Sequence, residues 1–116
     1  MSSEQTRSPV RNVRWDGKTC IVKVGGDVII ETAQALQDDL LKLLDRRPSR
    51  MVVNLADVGF MDSSGVASLV KLLSRARKAG VELILAEMQE RVAGIFDITR
   101  VNTLFDIRGS EEEALA

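Results

Sequence analysis

The 116-residue sequence contains no histidine, and cysteine occurs once, at Cys20. The first absence removes Ser-His-Asp and Cys-His catalysis, histidine-based metal sites and any histidine pH switch. A lone cysteine excludes an internal disulfide and a Cys-x-x-Cys redox or zinc centre, and it fits a reducing compartment. Aromatic side chains are scarce, three Phe and one Trp, and none is interleaved with basic residues as nucleic-acid binding would require. An excess of positive charge is also missing. The 16 basic groups stand against 17 acidic ones for a net charge of -1, a poor match for a phosphate-backbone binder. No apolar run approaches the roughly 20 residues of a membrane span, and Met1 to Pro9 lacks the apolar core of a signal peptide. The expectation is a cytoplasmic protein without metal, cofactor or enzymatic chemistry.

What is present suits one compact domain. The hydrophobic fraction of 45% is ordinary for a globular chain, and 116 residues leave no room for a second core. Residues 1–9, polar and closed by Pro9, read as a flexible leader to a domain over 10–116. Val10–Trp15 and Thr19–Val24 are β-prone runs separated by Asp16-Gly17-Lys18, a strong hairpin signal. Cys20, Val22 and Val24 share one face of the second run, so Cys20 reads as a core residue. Thr32 is expected to cap a helix with apolar positions Ala33, Leu36, Leu40, Leu43 and Leu44. Met51–Leu55 and Val81–Ala86 suit buried strands. Between them a helix from Ser64 to Ala79 stops at Gly80, with Lys71, Arg75, Arg77 and Lys78 on its outer face and end. A third helix is marked by Val92, Ile95, Phe96 and Thr99, a short strand by Phe105–Ile107, and a capping box by Ser110 and Glu113. This order predicts an α/β domain with about four helices and a mixed, mostly parallel sheet beginning in an antiparallel hairpin.

One loop concentrates the chemistry. Asp57-Val58-Gly59-Phe60-Met61-Asp62-Ser63-Ser64-Gly65 joins a central strand to a helix, at the carboxyl ends of the strands, where function collects in parallel α/β folds. Its last four residues place two hydroxyls at a helix N-terminus, where free N–H groups and the dipole tolerate a phosphate. On the residues alone, the tetrad reads first as helix capping. Phe60 and Met61 read as apolar plugs, or as a partner surface if exposed. Asp57 and Asp62 lack the accompanying base or nucleophile of a catalytic pair. Gly25-Gly26-Asp27 fits neither a dinucleotide fingerprint nor a P-loop.

The stretch from Met51 to Gly65 resembles the hallmark of STAS domains, and most of all the single-domain anti-sigma factor antagonists of bacteria. The pattern is an apolar strand ending in Asn-Leu, a short turn, an apolar pair, then Asp-Ser-Ser-Gly opening a helix. The order of elements agrees from about Val10 to Leu115. The resemblance implies a partner switch. The unphosphorylated protein binds an anti-sigma factor that is also a GHKL-type serine kinase, Ser63 is phosphorylated, the complex dissociates, and a PP2C-type phosphatase resets it. It also implies a contact surface comprising Asp57, Phe60, Met61, Asp62, Ser64 and Gly65, with Asp27 and Thr32 as neighbours. Two positions depart from the family pattern: Ile29 stands where an acid is common, and Val66-Ala67 where Leu-Gly is. The rival reading is a scaffold subunit of a larger assembly, such as a stressosome or a lipid-transport complex, with no obligatory phospho-switch.

Overall fold

The computed structural model describes residues 8–116, so most of the expected leader lies outside the described residues. Of its last two positions, Pro9 is buried and its carbonyl accepts a hydrogen bond from the Gly25 N–H. Strand β1 (Val10–Asp16) turns through Gly17, at φ 60°, into β2 (Thr19–Gly25). Helix α1 (Ile30–Leu44), β3 (Arg50–Asp57), α2 (Ser63–Ala79), β4 (Glu82–Ala86), α3 (Glu90–Ile98), β5 (Asp106–Arg108) and α4 (Glu111–Leu115) follow. The sheet order is β1-β2-β3-β4-β5, antiparallel only between β1 and β2. The expected α/β architecture with a mostly parallel sheet is therefore the one observed.

Alternation along the strands sorts the sheet into two faces. Cys20, Val22, Val24, Met51, Val53, Leu55, Leu83 and Leu85 point into the main core. The helices supply Leu36, Leu40, Leu69, Leu72, Val92 and Phe96 to it. Cys20 is fully buried, as its face predicted, and desolvation raises its thiol pKa against a weaker opposing effect of Arg46. It is a packed, unreactive thiol. Arg46 also sits 4.8 Å from the centre of the Trp15 ring, joining the end of α1 to the hairpin. Phe105 precedes β5 and packs edge-on against Phe96, with ring centres 5.5 Å apart. Gly80 ends α2 in the left-handed conformation, φ 73°, as its position foretold.

The opposite face, Ile21, Val52, Ile84 and Ala86, is covered by α4 through Ala114 and Leu115. Glu111 fastens this short helix. Its carboxylate pairs with Arg14 on β1 and accepts from the Asn54 amide on β3 (2.7 Å), and its own N–H donates to Glu87 (2.8 Å). The expected capping box is half formed. Ser110 Oγ accepts from the Glu113 N–H, but the Glu113 carboxylate accepts from Gly109 rather than from the cap residue.

Arg14 and Asn54 hold the Glu111 carboxyl below its ordinary value. A depressed folded-state pKa adds stability that is present above the unfolded value and lost as pH falls through the folded one. Thermal melts of the parent and Glu111→Gln should therefore differ most near neutrality and converge as the pH falls through the lowered pKa of the folded state. A gap that persists unchanged in acid would remove the ion pair as its cause.

Candidate functional site

The loops that follow β2 and β3 are joined side by side. Gly26 N–H donates to the Asp57 carbonyl (3.0 Å), Val28 N–H to the Phe60 carbonyl (3.0 Å), and Asp62 N–H to the Val28 carbonyl (3.1 Å). Val28 and Met61 form a parallel bridge, so two segments far apart in sequence extend the sheet by one rung. The pairing brings Asp27 and Thr32 beside the Asp57–Gly65 loop.

Asp62 is the cap of α2, but it does more than its sequence position implies. Oδ1 accepts from the N–H groups of Ser64 (2.8 Å) and Gly65 (3.2 Å). Oδ2 accepts from the N–H of Ile30 (3.2 Å), the first residue of α1. One carboxylate thus satisfies orphan donors at two helix starts. The residue preceding α1 is Ile29, which has no side chain able to cap. Thr32, expected as the cap, lies inside the first turn. Its hydroxyl accepts from the Ile29 N–H (3.0 Å) and donates to the Asp27 carbonyl (2.9 Å). The helix begins three residues earlier than foreseen because its cap comes from another loop.

Ser63 opens α2 and is exposed, whereas Ser64 is half-buried. Ser64 lines a groove between α1 and α2 together with Ile30, Ala33, Ala67, Ser68 and Lys71. The Ser68 hydroxyl bridges the pair, within 3.2 Å of the Ala33 carbonyl and 3.1 Å of the Ser64 carbonyl. Of the two adjacent serines, the first is the more exposed.

The remaining expected contact residues divide. Asp27, Asp57 and Phe60 are exposed, and Asp57 lies 3.5 Å from Lys23. Met61 and Gly65 are buried, so neither offers its surface directly. Met61 fills the space beneath α2. A Cβ at Gly65 would stand 2.5 Å from Met61 Cγ and 2.8 Å from the Val28 carbonyl oxygen. Glycine allows the helix to lie directly on the Val28–Met61 rung. Among the described residues no group of acids and cysteine is arranged to hold a metal ion. Within the same residues no helix is long and apolar enough to cross a membrane.

The STAS-domain family model matches residues 11–114. The chain belongs to the STAS-domain family. Its relatives include the anti-sigma-B factor antagonist of Staphylococcus epidermidis, 32% identical over 93 residues that make up 79% of this chain and 86% of that protein. That of Bacillus subtilis strain 168 is 30% identical over 91 residues, 78% of this chain and 83% of the other. The STAS fold is shared with solved structures. An anti-sigma factor antagonist from Mycobacterium paratuberculosis superposes with a TM-score of 0.78 at 20% identity, covering 90% of this chain and 88% of that one. The unphosphorylated form of SpoIIAA gives 0.76 at 17% identity, covering 90% and 91%. Sequence reasoning found the Asp62–Gly65 tetrad of this STAS domain but missed the reach of Asp62 to α1. The signal available was Ile29-Ile30, a helix start without a local capping side chain.

Proposed function

We propose that this STAS domain is an anti-sigma factor antagonist in a phosphorylation-controlled partner switch. Unmodified, it binds an anti-sigma factor that is also a GHKL-type serine kinase. Phosphorylation of Ser63 releases it, and a PP2C-type phosphatase restores it. The observation that carries this reading is the presentation of Ser63, exposed at the first position of α2 on a backbone held by the Asp62 cap. The names of its relatives support the same role.

The chain acts as substrate and ligand, without catalysis of its own. During transfer the Ser63 Oγ bonds to the terminal phosphorus of ATP, the bridging oxygen leaves with ADP, and the hydroxyl proton must go to a base. Asp62 is a poor candidate, because three backbone N–H groups hold its carboxylate. The kinase supplies the base. The product phosphate, with roughly -1.5 to -2 charges, is tolerated at a helix N-terminus without refolding. Against a partner it brings bulk, desolvation and a change of charge. A penalty of about 3 kcal/mol lowers affinity more than a hundredfold.

Incubation with the candidate kinase and ATP, followed by mass mapping, should place one phosphate on Ser63. Ser63→Ala should bind the anti-sigma factor constitutively and take up none. Normal phosphate incorporation in Ser63→Ala would exclude Ser63 as the switch.

A further inference from the structure

The outer strands of the sheet, β1 and β5, each pair on one side only among the described residues. The two edges are defended unequally. β1 carries a bulge between Val10 and Asn12, and its exposed residues include Arg11, Asn12 and Arg14. Bulges and charges of this kind discourage pairing with a further strand. β5 keeps a regular register, and three exposed large hydrophobic side chains collect around it. Ile98 ends α3, Leu104 precedes the strand and Ile107 lies within it, at 79%, 44% and 37% exposure. Beside them a groove of about 340 Å³ runs between α3 and β5, lined by Met88, Ala93, Phe96 and Ile107.

The backbone of β5 decides which of its polar groups are free. The Arg108 carbonyl accepts from the Glu87 N–H at the end of β4 (3.1 Å), so Arg108 turns its backbone groups toward β4. Along a strand those groups alternate in side. Asp106 therefore also faces β4, and Ile107 turns its N–H and C=O outward. Side chains alternate between the faces of the sheet. Ile107, level with Leu85, lies on the face covered by α1 to α3. Asp106 and Arg108, level with Ile84 and Ala86, lie on the face of α4.

We propose that the β5 edge is a docking surface for a second copy of this chain, paired antiparallel about a two-fold axis through Ile107. In that register the two Ile107 residues exchange both outward hydrogen bonds, and Asp106 of each copy stands opposite Arg108 of the other. The opposed acid and base form non-hydrogen-bonded pairs, the closer kind, with Cα atoms about 4.5 Å apart. Within one chain Asp106 and Arg108 already pair, at 2.6 Å. The sequence Asp-Ile-Arg is thus its own charge complement under the two-fold, with the isoleucine at its centre. The other charges around β5 are of both signs. Asp97, Glu112 and Glu113 stand with Arg77 and Arg100, and Glu82 is paired with Arg50. A second copy therefore meets no field of one sign. The edge contributes only two hydrogen bonds, so most of the affinity falls to Ile98, Leu104 and Ile107, and the association is weak. This proposal is independent of the partner-switch reading.

The test is sedimentation velocity of the full chain from about 5 to about 500 µM, where the mass should rise from one chain toward two. Ile107→Lys should weaken association by about tenfold or more, because it puts a charge at the centre of the pairing. Asp106→Arg sets arginine opposite Arg108 and should weaken association to a similar degree, as should Arg108→Asp by opposing two acids. The double reversal, Asp106→Arg with Arg108→Asp, restores opposite charges across the two-fold and should recover the parental association. Thermal melts of each variant confirm folding. A parent that keeps the mass of one chain throughout overturns the proposal. Parental association in folded Ile107→Lys and Asp106→Arg does the same, because the contact then lies elsewhere. A folded double reversal that associates no better than the single ones overturns the two-fold register.

Discussion

Asp62→Ala should lower stability by about 2 to 3 kcal/mol, because it removes caps from two helices at once. A single cap of this kind contributes about 1 kcal/mol, and the carboxylate also favours the positive end of α2. For a domain of this size, the melting temperature should fall by roughly 10 to 20 °C. Asp62→Asn separates the two roles. Its amide oxygen can still accept from Ser64 and Gly65, but its nitrogen is a donor and cannot accept from Ile30 N–H. Asparagine should therefore fall between aspartate and alanine. Hydrogen exchange at the Ile30 amide should accelerate in both variants, while exchange at Ser64 should accelerate in alanine alone. An Ile30 amide that exchanges at the parental rate in Asp62→Ala would show that the second cap contributes nothing.

Gly65→Ala should also destabilise, against the usual ordering of helix formers. Alanine within a helix is favoured over glycine by about 1 kcal/mol. Here the added methyl meets Met61 Cγ at 2.5 Å and a backbone oxygen, that of Val28, at 2.8 Å. A flexible side chain could swing aside, but the carbonyl belongs to the Val28–Met61 rung and cannot move without breaking it. Overpacking of this kind costs about 1 to 3 kcal/mol, and with a backbone oxygen in the way the upper end applies, so after the propensity gain a net loss of up to about 2 kcal/mol is expected. Gly94→Ala is the internal control. It also lies within a helix, α3, and nothing stands within 4 Å of the methyl that alanine would add there, so it should be neutral or slightly stabilising. Opposite signs in denaturant unfolding of the two variants would establish that packing, not propensity, selects glycine at position 65. Equal signs would refute it.

These two residues show where reading the chain reaches its limit. The Asp62–Gly65 tetrad is legible as a helix start because its capping bonds run over two and three residues. The bond from Asp62 to Ile30 spans 32 residues, and no local pattern announces it. Thr32 is the natural cap by composition, yet it sits in the first turn and holds the chain from inside. The same distinction applies to Met61. An apolar residue in a polar loop can be a plug or a contact, and only the bridge to Val28 decides that it is a plug. Phe60, its neighbour, points the other way and remains exposed.

By itself, the sequence, with no histidine and one cysteine, excluded histidine-based catalysis and an internal disulfide. Its hydrophobic periods and turn residues determined the order and type of its elements, because those depend on contacts within a few residues. The family motif is local too, and so is Ser63 within it. Tertiary structure alone decided that two loops share one rung, that one carboxylate caps two helices, and that Ile30 is held beside Ser63. Those features arise from hydrogen bonds and packing between distant segments, whose partners are specified only once the sheet has brought them together.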